Sequence, residues 1–238
     1  MSDLHATFHL EPRSDAERAY ALLRRDLLNG EWLPLERLRP ADLQERLGLG
    51  LTPIREALTR LAVDGLVQGE SQRGFRARGV SAEELTDLMA TRRELERRCL
   101  ELAIARGDAA WEATIVAAMH LLSRTPFPTS EKDRAAAELW EVRHRGFHHA
   151  LIAACGSDWR LRFWATLTDH SERYRKLRLL RHKEKAAMVR DAAGDHRAIM
   201  DAVLARDAAL AGNLMDEHIS ATEQAIRKLL PMAQDGAA

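Results

Sequence analysis

Four histidines in the second half of the chain have spacings that suit a metal site. His144 and His148 are four residues apart on one predicted helix, so their rings lie on the same face, one turn apart. His196 lies 11 residues before Asp207, and His218 lies 11 residues after it. If Asp207 marks the turn of an antiparallel helical hairpin, these two histidines stand at the same height. Four imidazoles from three helices can then converge on one divalent transition metal.

A single histidine on the apolar face of a helix is more often a hydrogen-bonded core residue than a metal ligand. In one helical bundle, however, four such residues would each require a separate polar partner. Convergence on a metal or anion pocket is therefore the better explanation for this set. The remaining histidines of the region are expected at the surface or behind the ligands: His120, His149, His170 and His182.

A second set of residues has the chemistry of DNA binding. On a helical wheel of residues 52–64, Thr52, Arg55 and Thr59 share one face, and Arg60 lies beside them. Arginine forms a fork onto guanine, threonine contacts phosphate or a thymine methyl, and a helix N-terminus attracts phosphate. Such a face can also be a plain solvated surface, which is the commoner case for an amphipathic helix taken alone.

A winged helix-turn-helix would position that face against a DNA groove. The predicted elements are helices over 15–29, 41–47 and 52–64 and strand-like segments over 66–68 and 74–77. Thr52 is expected to cap the third helix, and Pro53 suits its first turn. Arg73, at the tip of the hairpin before Gly74, would reach an adjacent groove or phosphate.

From Ser81 onward the sequence pattern is helical, and a capping-box pattern of Ser81 with Glu84 begins a long predicted helix. Further helices are predicted over 108–124, 130–155, 158–181, 187–205 and 208–230. The predicted fold is therefore mainly α. A winged helix-turn-helix domain over residues 1–79 is followed by an all-α antiparallel helical bundle over residues 80–238.

Composition excludes several classes of protein. The 36 basic and 36 acidic side chains cancel, which excludes a basic nucleic-acid coat but not a local basic face. No stretch approaches 18 consecutive apolar residues, so we expect no membrane span. The N-terminus lacks a signal-peptide pattern, and Cys99 and Cys155 cannot form a disulfide framework. A reducing cytoplasm is the expected location.

Residues 30–77 resemble the DNA-binding domain of the GntR family of bacterial transcription regulators. The resemblance is carried by Gly30, Arg39, Leu43, Leu47-Gly48, Thr52-Pro53, Arg55-Glu56-Ala57-Leu58, Leu61, Gly65-Leu66-Val67 and Arg73-Gly74. It implies that Thr52, Arg55 and the Arg73-Gly74 tip contact the operator, and we assign Arg39 to the same surface.

The sequence differs from the usual pattern of this family at one place. The family usually has Ser-Arg before Thr-Pro, whereas this chain has Gly50-Leu51. A leucine side chain cannot bind phosphate or guanine, so the departure predicts weaker binding or an altered sequence preference.

The bundle resembles the FCD-type effector domain of the FadR-like branch of this family. The resemblance is carried by the fragments LMATRRELERRCLELA, FHHALIAACGSDWRLRFW and DHRAIMDAVLARDAALAGNLMDEHI. It implies a divalent metal bound by an Asp and three His, at the positions of His144, His148, His196 and His218. Since His144 replaces the Asp, the site loses a negative charge and should prefer Zn(II) or Ni(II) to Mg(II) or Mn(II).

The same resemblance implies a small carboxylate effector that docks on the metal and on an arginine of the first bundle helix. Arg92 is the matching residue, and its alternative role is that of a plain surface arginine on a highly charged helix. The implied function is a ligand-responsive transcription regulator, a homodimer bound to a near-palindromic operator in double-stranded DNA.

Two other functions stay open at this point. A helical metalloenzyme could use the four histidines to activate water or dioxygen. Against it, Asp195 and Glu217 are expected to point about 100° away from the adjacent histidines on their helices, which leaves no general base. The third candidate is a DNA-binding protein whose bundle is purely structural.

Overall fold

The polypeptide divides into two compact units, Met1–Gly79 and Val80–Ala238. The computed structural model describes residues 14–70, 74–127, 134–181, 192–228 and 230. No helix within those ranges is both long and apolar enough to cross a membrane. Each unit has its own cluster of buried apolar side chains.

The N-terminal unit is a small helical domain with a three-stranded sheet. Its elements are α1 (Asp15–Leu28), β1 (Arg37–Leu38), α2 (Pro40–Leu47), α3 (Leu51–Val63), β2 (Val67–Glu70) and β3 (Gly74–Ala77). The sheet is antiparallel with the order β1-β3-β2, so the hairpin β2–β3 forms the wing. The predicted helix-turn-helix and hairpin are confirmed, and β1 is an additional strand that pairs with β3.

The N-terminus of α3 differs from the prediction. Thr52 is not the cap, because the helix already begins at Leu51 and the extended Gly50 is the capping residue. The Gly50 carbonyl accepts the first helical hydrogen bond from the Ile54 N–H at 3.3 Å. Pro53 still falls in the first turn, where its missing N–H has no consequence.

Helix α3 is fixed by its apolar side. Four of its side chains are fully buried and join residues of α1 in one core: Ile54, Ala57, Leu58 and Leu61. The turn before it relies on Gly48, whose φ of 63° is in the left-handed region that favours glycine. Together, this packing and this turn determine which side of α3 faces solvent.

The C-terminal unit is all-α over the residues described. Its helices are α4 (Ala82–Arg106), α5 (Ala109–Ser123), α6 (Arg134–Ile152), α7 (Asp158–Arg181), α8 (Ala192–Leu204) and α9 (Ala208–Arg227), with a short 3₁₀ turn at Ala153–Cys155. Ser81 caps α4, and its hydroxyl accepts the Glu84 N–H at 3.0 Å, as the sequence predicts. The fold is thus mainly α, with an N-terminal winged helix-turn-helix.

The turn between α8 and α9 lies where the histidine spacing requires it. Helix α8 ends at Leu204, and Asp207 caps α9 by accepting the Leu210 N–H at 2.9 Å. Arg206 has a φ of 60°, which reverses the chain between the two helices. Residues that precede and follow Asp207 by equal distances are therefore brought to similar heights.

Candidate DNA-binding surface and metal centre

The outer face of α3 has the predicted composition. Thr52, Arg55 and Thr59 are exposed, whereas the opposite face of the helix is buried. The Thr59 hydroxyl donates to the Arg55 carbonyl at 2.9 Å. The Arg55 side chain therefore lies on an exposed helical surface near the N-terminal end of α3.

Arg60 lies at the edge of that face and packs against α1. Its guanidinium carbon is 4.5 Å from the centre of the Tyr20 ring. The Tyr20 hydroxyl donates to Asp64 at 2.6 Å, and burial together with this bond raises the pKa of Tyr20 to about 12. Tyr20 and Asp64 thus orient Arg60 without removing it from solvent.

The other predicted DNA contacts lie just before α2 and on the wing. Arg39 is exposed and directly precedes α2. Gly74 begins β3 with a φ of 95°, a conformation that side-chain-bearing residues rarely adopt. Arg73 lies outside the described residues. Leu51, where the family resemblance leads one to expect arginine, is 39% exposed at the first residue of α3.

The four predicted metal ligands come together in the C-terminal unit. His144 and His148 lie on α6, His196 on α8 and His218 on α9, and each is at most 6% exposed. One ligand nitrogen from each ring lies within 4.8 Å of the others. The rings of His196 and His218 have centroids 4.6 Å apart, so the two residues are level across the helical hairpin.

This donor set fits a metal ion. Nδ1 of His144 and Nε2 of His148 are buried and have no hydrogen-bond partner among the residues described. Such orphaned groups cost about 1–3 kcal/mol each unless something binds them. With Zn–N distances of about 2.1 Å, the four nitrogens of a tetrahedral site are about 3.4 Å apart, so the cluster would contract by about 1.4 Å at most to hold the ion.

Burial lowers the pKa of both His144 and His148, which favours the neutral ring that binds metal. Burial lowers the pKa of His144 well below its usual value, and the nearby His148 and Arg175 lower it further. Trp140 stacks on the His144 ring, with centroids 4.7 Å apart and an interplanar angle of 17°. A neutral imidazole held in a fixed orientation is the species that coordinates a transition metal.

Two carboxylates lie next to rings of the histidine cluster. Glu96 Oε2 lies 3.5 Å from Nδ1 of His148, and Asp195 Oδ2 lies 3.5 Å from Nδ1 of His218. A carboxylate that accepts Nδ1–H leaves Nε2 for a metal and fixes the tautomer. The expectation that no carboxylate lies beside the histidines is wrong for Asp195, because this residue contacts His218 on α9 and not the adjacent His196 on its own helix.

Glu96 lies beside the histidine cluster and is not among the residues that the sequence analysis predicts there. It is fully buried, yet α4 carries so many charges that its sequence pattern does not distinguish this glutamate from its neighbours. Burial alone would raise the pKa of Glu96, but the adjacent Arg92 and His148 lower it to about 2. Its spacing of four residues from Arg92 was the available signal, since such pairs meet on a helix.

Arg92 is buried, 4% exposed, and so is not the surface arginine of the alternative interpretation. Its Nε and Nη2 donate to Glu96 Oε1 at 2.9 and 2.5 Å, and its Nη1 donates to Ser171 Oγ at 2.8 Å. Because Glu96 also approaches His148, its carboxylate links Arg92 to the histidine cluster.

Replacing Glu96 with alanine is expected to lower the free energy of unfolding by about 3–5 kcal/mol, since Arg92 would remain buried without its carboxylate. Chemical denaturation of the purified protein measures the change. The matched control is Glu94→Ala, on the exposed side of the same helix, which should change stability by about 0.5 kcal/mol or less. Equal effects of the two substitutions would contradict the assignment.

The sequence matches two family models in consecutive segments. Residues 15–76 match the bacterial regulatory proteins of the gntR family, and residues 87–221 match the FCD domain. The chain is 38% identical over 200 residues to the HTH-type transcriptional repressor GlaR of Escherichia coli (strain K12), covering 84% of this chain and 90% of that protein. It is 37% identical over 216 residues to the HTH-type transcriptional regulator BphR of Paraburkholderia xenovorans (strain LB400), covering 91% and 86%.

Solved structures share the fold. The chain superimposes on E. coli McbR/YncC with a TM-score of 0.73 at 20% identity, covering 91% of this chain and 98% of that one. It superimposes on a putative transcriptional regulator GntR from Rhodococcus sp. RHA1 with a TM-score of 0.70 at 22% identity, covering 90% and 98%. At these identities the likeness shows the architecture alone.

Proposed function

Because the chain belongs to the GntR family of bacterial transcription regulators and carries an FCD domain, we propose that it binds a near-palindromic operator as a homodimer and responds to a small carboxylate. The family and the relatives are DNA-binding regulators rather than enzymes, so the metalloenzyme alternative is set aside. A two-fold symmetric protein is suited to a two-fold symmetric site.

The DNA-binding proposal rests on the contrast between the exposed and the buried face of α3. Thr52, Arg55 and Thr59 are exposed on one side of a helix whose other side is buried in the core. This is the arrangement of a recognition helix, whose N-terminal residues contact base edges in the major groove. The full set of proposed DNA contacts is Arg39, Thr52, Arg55, Thr59, Arg60, Arg73 and Gly74.

We further propose that the four histidines bind Zn(II) or Ni(II). Support comes from four ring nitrogens that lie within 4.8 Å of one another, from the buried and unpartnered Nε2 of His148, and from the carboxylates of Glu96 and Asp195 beside the rings. A bound ion would supply a Lewis-acidic docking point for the effector's carboxylate. Arg92 would bind the effector beside it, and the site would have no catalytic role.

The proposed response is a population shift between DNA-competent and DNA-incompetent arrangements. The relative from E. coli is named a repressor, and we extend that mode to this chain. Effector binding at the histidine cluster would then release the operator, so that the genes beside it are expressed when the effector is present.

Selection of genomic DNA fragments by the purified, metal-loaded protein tests the proposal. One near-palindromic sequence should be enriched at low salt and should survive moderate salt, since specific base contacts add to the salt-sensitive phosphate contacts. Low salt matters because Leu51 occupies the position of the family's usual arginine. Failure to enrich any sequence at either salt would contradict operator binding.

A further inference from the structure

A buried tyrosine of α7 holds the first residues of the C-terminal unit. The Tyr174 hydroxyl accepts the Ser81 N–H at 3.3 Å and donates to Glu84 Oε2 at 2.5 Å. Ser81 caps α4, and Glu84 lies in its first turn. The polypeptide enters this unit directly before Ser81, since the boundary between the two units follows Gly79. One phenol thus fixes the backbone at the point where the DNA-binding domain is joined to the bundle.

Burial makes this attachment strong. Tyr174 is fully buried, and burial together with the bond to Glu84 raises the pKa of its hydroxyl to about 12. The phenol is therefore neutral at physiological pH and can donate one hydrogen bond while it accepts another. Arg173, the preceding residue of α7, places Nη2 at 3.6 Å from the same Glu84 oxygen. The first turn of α4 is thus bound to α7 through two consecutive residues.

Helix α7 is also bonded to the residues beside the histidine cluster. Arg92 Nη1 donates to the hydroxyl of Ser171, which lies one turn before Tyr174, at 2.8 Å. Arg92 Nε donates to Glu96 Oε1 at 2.9 Å, and Glu96 Oε2 lies 3.5 Å from Nδ1 of His148. A continuous series of polar contacts therefore leads from a proposed metal ligand to the helix that carries the phenol.

The burial of this series matters for how a shift is transmitted. His148, Glu96, Arg92 and Ser171 are all buried. Water cannot replace a partner that moves away inside the protein, so a displaced group either takes its partner with it or leaves a buried polar group unsatisfied. The two attachments of α4 to α7, through Ser171 and through Tyr174, are therefore expected to respond together.

We propose, on the basis of the function proposed above, that Tyr174 is a positioning residue that couples the histidine cluster to the DNA-binding domain. When the cluster is occupied, the His148 ring and the adjacent Glu96 are fixed. The contacts through Arg92 and Ser171 then set the position of α7, and the phenol sets the backbone at Ser81. Tyr174 is neither a proposed metal ligand nor a proposed DNA contact, so its effect on operator binding passes through that backbone.

Fluorescence anisotropy with the selected operator tests the coupling in the full chain, either loaded with Zn(II) or stripped of metal. In the wild type, removal of zinc should raise the operator Kd about 5- to 150-fold, the range typical of coupled sites. Tyr174→Phe keeps the ring and removes only the hydroxyl, and it should bring the two Kd values together. A folded Tyr174→Phe protein with the wild-type ratio of Kd values would overturn the proposal, as would a wild type whose Kd ignores zinc.

The ratio of the two Kd values separates coupling from a merely structural role. A tyrosine that only stabilised the fold would, when truncated, lower the melting temperature and leave the ratio unchanged. The matched control is Thr86→Val, which removes a hydroxyl from the same end of α4 that accepts from Arg227 of α9 rather than from α7. This control should keep the wild-type ratio, and an equal loss in both variants would contradict the assignment to Tyr174.

A second variant keeps the test available if Tyr174→Phe does not fold. Ser171→Ala removes the acceptor of Arg92 and should reduce the same ratio. If the two hydroxyls act in one series, the double variant should reduce it no further than the larger single effect, whereas additive losses would contradict a single series. The control is Ser220→Ala, which removes a hydroxyl on α9 that accepts from Arg93, the neighbouring arginine of α4, at 3.2 Å.

Failure of this inference can be distinguished from failure of the proposed function. Zinc content is measured in the same preparations as operator binding. If neither the loaded nor the stripped protein bound an operator, the regulator function itself would be contradicted. If both bound it equally well, the regulator function would stand and only the coupling through Tyr174 would be overturned.

Discussion

Arg55→Ala is expected to abolish operator binding while leaving the melting temperature of the protein nearly unchanged. The side chain is exposed near the N-terminal end of α3, so its truncation removes little packing. A bidentate arginine–guanine contact is worth about 1–3 kcal/mol, and a homodimer loses two of them, so affinity should fall by about 10²-fold or more. Electrophoretic mobility shifts with the selected operator measure the loss.

The control for this substitution must remove the same charge from elsewhere on the domain. Arg18→Ala serves, because Arg18 is exposed on α1 rather than on the outer face of α3. It should lower affinity only through the general electrostatic attraction, an effect that disappears as salt is raised. If Arg55→Ala retained wild-type affinity, α3 would not be the recognition helix.

Leu51 makes this test more decisive for this chain. The position is 39% exposed at the first residue of α3, where an arginine would reach a phosphate or a base. Since leucine provides neither hydrogen bond nor charge, we expect base recognition at this end of the helix to depend more heavily on Arg55. A larger fraction of the specific binding energy should therefore be lost with that one side chain.

The outer face of α3 could be predicted because it depends on local geometry. The spacing of Thr52, Arg55 and Thr59 places them opposite the apolar residues of the same helix, whatever the surrounding fold. The two-residue strand β1 could not be predicted, since it is too short to have a pattern and exists through its pairing with β3. The prediction that Thr52 caps α3 is wrong because the sequence does not show where helical backbone geometry begins.

The histidine cluster could also be predicted from local helical geometry, but the residues that contact it could not. Helical spacing sets the heights of His144, His148, His196 and His218 along their helices. The approach of Glu96 to His148 from α4 depends instead on how helices rotate against one another, which no single-helix pattern records. The hydrogen bond from Arg92 on α4 to Ser171 on α7 likewise requires two helices to meet, and only the structure brings them together.

The largest effect on metal binding is expected from the double variant His148→Ala with His196→Ala. Two of four ligands would be lost from two different helices, so stoichiometric Zn(II) or Ni(II) should disappear from the purified protein by elemental analysis. Added Zn(II) should also cease to raise its melting temperature, because a metal stabilises a protein only to the extent that it binds the folded state. Unchanged metal content would contradict the site.

The matched control removes two histidines that lie outside the cluster. His120 and His149 are exposed, and His149 directly follows His148 on α6 but points to the other side of the helix, where its ring centroid is 5.5 Å from that of Trp164. His120→Ala with His149→Ala should therefore retain the metal and its stabilising effect.

If the wild-type protein bound no metal and gained no stability from Zn(II), the bundle would be structural, and operator binding would persist without the metal. Metal content and DNA affinity thus separate the two remaining functions, because the histidines lie in one compact unit and the recognition helix in the other.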